Sequence, residues 1–469
     1  MIPVTCLAGK RVAVFGLGMS GIATAQSLVA GGAEPVIWDD KPESREAAAK
    51  LGLALTDLSA ADWSGFAALV LAPGVPLTHP KPHWTVERAH AAGVEIIGDT
   101  ELFCRERRHL DVKARVAAIT GTNGKSTTTA LTAHLLQAAG RRTAMGGNIG
   151  TAILALDPFA DDGHYVIEYS SFQIDITPTL DASTACLLNI TPDHLDRHGT
   201  LEHYAAVKSR IFDRLGPADT AAIGVDDAPS AAIADSHAAH TDVRAISCLR
   251  PVSHGVYATA AGLIEVTNGA ELPPLSLAGI GSLRGVHNWQ NAACAYAMAR
   301  ALGLTREEIA SGLRSFPGLA HRMEQVGRLG RVLFINDSKA TNADAAGKAL
   351  ASFENIHWIA GGLAKAGGLE GLEGFWPKIR RAYLIGDAAS AFSAHLGGAI
   401  PHRISVTLEQ AVAEATRDAL ASGDPEPVVL LSPACASYDQ FPSFTARGDA
   451  FKAMVARLPG IVLRGAQGA

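Results

Sequence analysis

The residues best suited to do chemistry are Gly121, Thr122, Asn123, Gly124, Lys125, Ser126 and Thr127, set directly behind the apolar run 116–119. The pattern reads as a short strand, a Gly-punctuated turn, then a helix running to about Ala139 before Gly140. Such a turn aims successive backbone N–H groups into one concavity, at the positive end of a helix dipole, and so cradles phosphate. Lys125 adds a mobile positive charge, and the Ser126 hydroxyl stands where a Mg²⁺ ligand is usual. The spacing departs from G-x-x-x-x-G-K-[ST], because Ile119 occupies the place of the first Gly. An ordinary turn with a surface lysine is the plain alternative; Gly-Lys-Ser-Thr straight after a strand favours phosphate.

A phosphate loop with a metal needs a carboxylate, and Glu168 ends the apolar run 165–168. In open parallel sheets the carboxyl ends of strands face the ligand crevice, so Glu168 is placed to share Mg²⁺ with Ser126. Residues 145–150 read as a Gly-rich loop containing Asn148, and Ser170 and Gln173 follow Glu168 closely. His194 and His198, four apart with Asp193 and Asp196, suggest zinc only weakly. Pro192 and Gly199-Thr200 interrupt a helix there, no Glu completes H-E-x-x-H, and a helix-capping loop is the simpler reading. Lys208 lies on an expected helix over 204–212. An ammonium about 4 Å from Mg²⁺ is repelled by about 4 kcal/mol per unit charge at an effective dielectric near 20. The residues alone therefore point Lys208 to solvent, or else to loss of its charge by modification. His287, Asn288 and Asn291 open an Ala-rich helix and offer amides able to read a purine.

A second Gly-rich turn lies nearer the N-terminus. Gly16, Gly18 and Gly21 follow the strand-like run 11–15, and the next apolar run, 35–38, ends in Asp39 and Asp40. Taken alone, G-x-G-x-x-G with an acid about 20 residues on predicts a dinucleotide site, with Asp39 on a ribose. The turn recognises phosphate geometry rather than nicotinamide, so another diphosphate is equally compatible. Further strands are expected at 68–71 and 94–97, and the charged segment 104–113 reads as a domain boundary.

Beyond a turn-rich connector over 315–324, which carries Arg322 as a candidate phosphate ligand, strands are expected at 332–335, 357–360, 382–385 and 428–431. The loops behind them hold Asp337, Lys339 and Thr341, then Lys365, then Ser437. Cys435 has no nearby His and reads as a packed small residue. These elements sit in a chain of 469 residues, 48% hydrophobic, with room for about three domains. Helices alternate with parallel-type strands throughout, which makes the class α/β. A formal charge of −6 argues against nucleic-acid binding. Six scattered cysteines without a C-x-x-C pair suit a reducing compartment. With no signal-like N-terminus and no run of ~18 apolar residues, a cytoplasmic protein outside the membrane is expected.

Taken in order, Gly121–Thr128, Glu168 to Gln173, Asp193 to Asp196, Lys208, His287-Asn288, His321-Arg322 and the segments 336–342 and 432–448 resemble the Mur ligase family over essentially the whole chain. The resemblance implies three α/β domains: a Rossmann-like UDP-substrate domain (1–104), a central P-loop-type ATPase domain (105–318) and a Rossmann-like C-terminal domain (319–469). It also implies ATP-driven amide formation through an acyl phosphate, in peptidoglycan precursor synthesis. Gly16, Gly18 and Gly21 would then hold a uridine diphosphate, with Asp39 and Asp40 near the uridine. Lys125 and Arg322 would contact ATP phosphates. Ser126 and Glu168 would bind one Mg²⁺, and His194 a second together with Lys208 as a carbamate, which replaces the solvent-facing reading. Lys125, His194, Lys208 and Arg322 form the implied catalytic set. Asn291 and Asp337 would meet adenine and ribose, while Asn148, Ser170 and Gln173 would touch substrate.

Lys339, Thr341, Lys365, Ser437 and Phe444 would surround the acceptor. Within the family, segments 336–342 and 432–448 point to D-glutamate as that acceptor and UDP-N-acetylmuramoyl-L-alanine as its co-substrate, in a monomer. The Asp-Asn-Pro-Arg signature of a diaminopimelate-adding relative is absent from the sequence. A family member with a different acceptor is the near alternative. An NAD-dependent oxidoreductase is the distant one, and it leaves the Gly-Lys-Ser loop without a role.

Overall fold

The computed structural model describes residues 1–365 and 367–464. It contains two compact units, Met1–Ala278 with Asn288–Phe316, and Gly279–His287 with Pro317–Ala469. Three sheets are distributed over them, so the α/β class expected from the alternating pattern holds.

The first unit carries two sheets. The smaller is parallel, in the order Glu34–Trp38, Arg11–Phe15, Ala68–Leu71, Glu95–Ile97. Strand order reverses beside Arg11–Phe15, and there the Gly16–Gly21 turn leads into the helix Met19–Ala30. The larger sheet has nine strands. At its centre Arg115–Thr120 lies between Thr184–Leu187 and His164–Glu168, all parallel. Val116, Ala117, Ala118 and Ile119 are each at most 1% exposed, as an apolar run covered on both faces must be. The crevice at this switch point receives both the phosphate-loop turn and the end of the Glu168 strand. At the far edge, Gly255–Thr259 and Gly262–Thr267 pair antiparallel.

The second unit has one seven-stranded sheet. Its neighbours Ile356–Gly361, Val428–Leu431 and Val332–Asn336 are parallel, so the loops after all three leave from the same edge. Those are the loops that carry Lys365, Ser437 and Lys339.

Several expectations need correction. Residues 104–113 are not a linker: Asp99–His109 is one helix, and its Glu101 and Glu106 are fully buried. Glu106 accepts from the Thr5 and Cys6 amides at 2.7 and 2.8 Å, and Glu101 from the Thr179 amide at 2.9 Å. Within that segment Glu106, Arg107 and Arg108 satisfy neighbouring backbone, whereas Asp111 and Lys113 are exposed and pair with each other. The first half of the 145–150 loop is strand, since Thr143–Gly147 pairs with His164–Glu168 at the sheet edge. Strands Thr220–Gly224, Asp242–Ser247, Glu324–Leu329, His402–Val406 and Val462–Leu463 are additional to those expected. No helix among the described residues is long and apolar enough to cross a membrane.

Candidate active site

Two glycines shape the phosphate loop. Gly124 caps the helix Lys125–Ala138 at φ +87°, and a Cβ there would stand 2.2 Å from Asn291 Oδ1. Gly121, at φ +150°, lies against Leu188. The loop is braced from the neighbouring strand: Asn123 N donates to Asn189 Oδ1 at 2.9 Å, and Thr122 N to Asn189 O at 2.9 Å. The Lys125 ammonium folds back over its own loop and donates to Gly121 O at 2.8 Å and Thr122 O at 2.7 Å. Ser126 and Thr127, both half-buried, begin the helix. Asn291 is 3% exposed; its amide donates to Asn288 Oδ1 at 3.1 Å and its oxygen faces Thr128 Oγ1 at 3.4 Å. It supports the loop from behind.

Glu168 is 2% exposed at the end of its strand. Oε1 accepts from Asn148 Nδ2 at 2.7 Å, whereas Oε2 is buried without a hydrogen-bond partner among the described residues. A buried carboxylate oxygen left uncompensated is costly. A hard divalent cation would satisfy it, and Ser126, which opens the helix after the paired strand, would keep the donor set all oxygen, as Mg²⁺ prefers. Asn148, expected on substrate, is hydrogen-bonded to Glu168 here. Ser170 and Gln173 form a reciprocal capping box for the helix Ser171–Asp175, in which Gln173 N donates to Ser170 Oγ and Ser170 N to Gln173 Oε1.

Lys208 is 1% exposed, which overturns the solvent-facing reading made from residues alone. Its Nζ donates to Thr120 Oγ1 at 3.1 Å and Gly121 O at 2.9 Å, and lies 4.7 Å above the Tyr204 ring. Burial, reinforced by repulsion from Lys125, holds its pKa well below the ordinary lysine range. Lowering the pKa favours the unprotonated amine, the form that adds to CO₂. His194 adopts a left-handed conformation (φ +52°) before the short helix Leu195–His198, with Nε2 3.5 Å from Asp193 Oδ2. His198 does not join it. Its Nε2 meets Ser171 Oγ at 2.9 Å, and its ring stacks on Phe172. Asp175, His198 and His203 bring ligand atoms within 4.8 Å of one another, but Arg210 Nη1 already lies 3.3 Å from Asp175, and Arg197 adds a second cation. That cluster reads as structural.

In the N-terminal turn, a Cβ on Gly21 would fall 1.8 Å from Gly16 O, so close packing requires glycine. Gly18 faces open space and caps the helix without a side-chain bond. Asp39 is engaged by backbone, accepting from Leu17 N at 2.7 Å and Lys41 N at 2.8 Å. Asp40 accepts from Trp84 Nε1 at 3.3 Å and meets His83 Nε2 at 3.0 Å, and the His83 ring lies 4.5 Å from Phe15. His83 and Trp84 escaped the sequence reading, because no local motif links them to residue 40.

On the second unit, Lys339 Nζ sits 4.0 Å over the Phe444 ring. Burial, with Arg322 and Lys365 as like charges, lowers its pKa. An anion bound there would relieve that repulsion. Thr341 is half-buried, Ser437 is 2% exposed, and Arg322 and Lys365 are exposed. Asp337 accepts from Met323 N at 3.1 Å and Ser432 Oγ at 2.8 Å, so it pins the turn that bears Arg322; burial pushes its pKa to about 7. Cys435 is buried, and burial pushes its thiol to about 12, in keeping with a packing role.

Three family descriptions match consecutive stretches: Mur ligase MurD-like, N-terminal domain over residues 10–98; Mur ligase middle domain over 119–299; and Mur ligase, glutamate ligase domain over 321–435. The chain belongs to the Mur ligase family. It is 57% identical over 462 residues to UDP-N-acetylmuramoylalanine–D-glutamate ligase of Mesorhizobium japonicum, covering 98% of each chain. It is 58% identical over 464 residues to the ligase of the same name from Brucella abortus, covering 98% of this chain and 99% of that one. Among solved structures, the UDP-N-acetylmuramate-alanine ligase of Thermotoga maritima superposes with a TM-score of 0.55 at 18% identity, over 94% of this chain and 98% of that one. MurF from Acinetobacter baumannii gives 0.53 at 19%, over 77% and 81%. At these identities the likeness is one of fold.

Proposed function

We infer that this chain is an ATP-dependent ligase that joins D-glutamate to UDP-N-acetylmuramoyl-L-alanine in peptidoglycan precursor synthesis. Identity of 57–58% to ligases of that name, from end to end, carries the assignment. The phosphate loop and the cationic Lys339 surroundings agree with it.

In the reaction, the L-alanyl carboxylate attacks the γ-phosphate of ATP, releasing ADP and leaving an acyl phosphate. The D-glutamate amine then adds to that carbonyl, loses a proton, and phosphate departs. Two anions must meet in the first step, so charge neutralisation and positioning dominate. The loop amides of 121–126 and Lys125, released from Gly121 O and Thr122 O, supply this from the first unit. Arg322 is the proposed phosphate contact of the second. Mg²⁺, held by Ser126 and Glu168 and at a second position by His194 and carbamylated Lys208, would supply further neutralisation when bound.

Gly16, Gly18, Gly21, Asp39 and Asp40 are proposed for the uridine diphosphate part, and Asn148, Ser170 and Gln173 for the rest of that substrate. Asn291 and Asp337 are proposed for adenosine, and Lys339, Thr341, Lys365, Ser437 and Phe444 for D-glutamate. A monomer in the cytoplasm, with a division at 318/319, completes the proposal.

ADP release with UDP-N-acetylmuramoyl-L-alanine and a panel of D- and L-amino acids tests it. Stimulation by D-glutamate alone is expected, and stimulation by L-alanine or a diamino acid instead would reassign the acceptor. Lys125→Ala should abolish ADP formation.

A further inference from the structure

Arg447 lies on the helix Phe444–Ala456 and is 1% exposed. Its guanidinium is spent on uncharged oxygens. Nε donates to Ser338 Oγ at 3.0 Å, Nη2 to Ser338 O at 2.9 Å and Cys435 O at 3.0 Å, and Nη1 to Ala436 O at 3.2 Å. Ser338 Oγ in turn donates to Phe444 O at 2.8 Å, closing a ring back onto the helix that bears Arg447. A third loop joins through Ala436, which exchanges both backbone hydrogen bonds with Leu363 at 3.0 Å. A Cβ on Gly362 would stand 3.1 Å from Arg447 Nη1.

Burying a cation whose hydrogen bonds all end on uncharged oxygens, with Asp439 acting on it only through space, is an unfavourable way merely to hold a fold together. The planar fork is, however, the one side chain able to address four acceptors in fixed directions. The members of this network lie at or within two residues of residues already proposed for the amino-acid site. Ser338 precedes Lys339, Ala436 precedes Ser437, Phe444 begins the helix, and Leu363 lies two residues before Lys365.

We propose that Arg447 is a positioning residue that sets the geometry of the acceptor pocket, locking the loops after three adjacent strands into one register for the acceptor's carboxylates. The proposal rests on the reading of Lys339, Ser437 and Phe444 as acceptor contacts. Arg447 itself touches no substrate. A lysine in its place would keep the charge and lose the fork.

The test is steady-state kinetics of Arg447→Lys and Ser338→Ala in the full chain, varying each substrate in turn. In Arg447→Lys the KM for D-glutamate should rise roughly tenfold or more, with the KM values for ATP and the UDP substrate within about twofold and the melting temperature close to wild type. Ser338→Ala, which removes one acceptor and burdens folding less, should shift the same constant in the same direction by less. Added guanidinium at low millimolar concentration should lower the D-glutamate KM of Arg447→Ala. An unchanged KM for D-glutamate in both Arg447→Lys and Ser338→Ala would overturn the proposal. So would an equal rise for all three substrates, which marks a general scaffold role. Failure of the acceptor reading is distinguishable, because wild type would then show no response to D-glutamate at all.

Discussion

Asn148 Nδ2 donates to Oε1 of Glu168 at 2.7 Å, while the other carboxylate oxygen of Glu168 stays buried with no hydrogen-bond partner among the described residues. One oxygen is oriented by the protein, and the other is the one proposed to meet a cation. This is the arrangement expected when a neighbour fixes the rotamer of a metal-binding carboxylate. Asn148→Ala should therefore leave the fold intact but raise the Mg²⁺ concentration for half-maximal activity roughly 10- to 100-fold. Glu168→Gln should do so more severely. A Mg²⁺ titration of both variants reads the effect; wild-type dependence in Asn148→Ala would refute the orienting role.

Lys208 offers a second test. Its ammonium would have to survive 1% exposure with Lys125 nearby and no carboxylate bonded to it, and its lowered pKa follows. Loss of its proton should let the amine take up CO₂, placing an anion where the cation is disfavoured. Wild type incubated with isotopically labelled bicarbonate should show a carbamate carbonyl resonance that Lys208→Met lacks. The variant's activity should fall by roughly two orders of magnitude or more. A labelled signal persisting in Lys208→Met would move the modification elsewhere.

The contrast between these two residues shows what the sequence can disclose. Glu168 was legible because strand, carboxylate and neighbouring phosphate loop are each local patterns, and topology does the rest. Lys208 was not, because the cavity that buries it is built by Thr120, Gly121 and Tyr204, two of them some 90 positions away in the chain. Strands with continuous apolar runs, such as 116–119 and 428–431, were readable from composition. Thr143–Gly147 and Asp242–Ser247 were not, since each is half-covered and lacks a clean alternation. The helix Asp99–His109 misled for a physical reason: its buried Glu101 and Glu106 imitate a solvated face.

The phosphate loop predicts its own sensitivity. Gly124→Ala must accommodate φ +87° and a Cβ placed 2.2 Å from Asn291 Oδ1. The backbone conformation alone costs about 1 kcal/mol for a non-glycine residue. Displacing Asn291, which also holds Asn288, adds to it. Gly124→Ala should weaken ATP binding by roughly tenfold or more, measured by calorimetric titration. In the double variant with Asn291→Ala the contact with Asn291 is gone, but Leu188 Cδ2 at 3.0 Å and the backbone penalty remain and the proposed adenosine contact is lost, so at most partial recovery is expected. Full recovery would mean that the left-handed conformation is dispensable.

Asp99 makes a prediction about pH. It begins a helix at 4% exposure, and burial, only partly offset by the Thr100 amide, raises its pKa from 3.8 to about 6. The folded chain therefore retains a proton that the unfolded chain has released, and stability contributed by this group falls as pH rises from 3.8 to about 6. Above that window the penalty is constant. Asp99→Asn keeps an oxygen for the Thr100 amide and cannot ionise. It should match wild type near pH ~4 and exceed it above pH ~6, by at most about 3 kcal/mol. Melting temperatures of both proteins at several pH values give the measurement. A difference that stays constant across the series would show that Asp99 ionises at its ordinary pKa, with its carboxylate solvated or paired on folding.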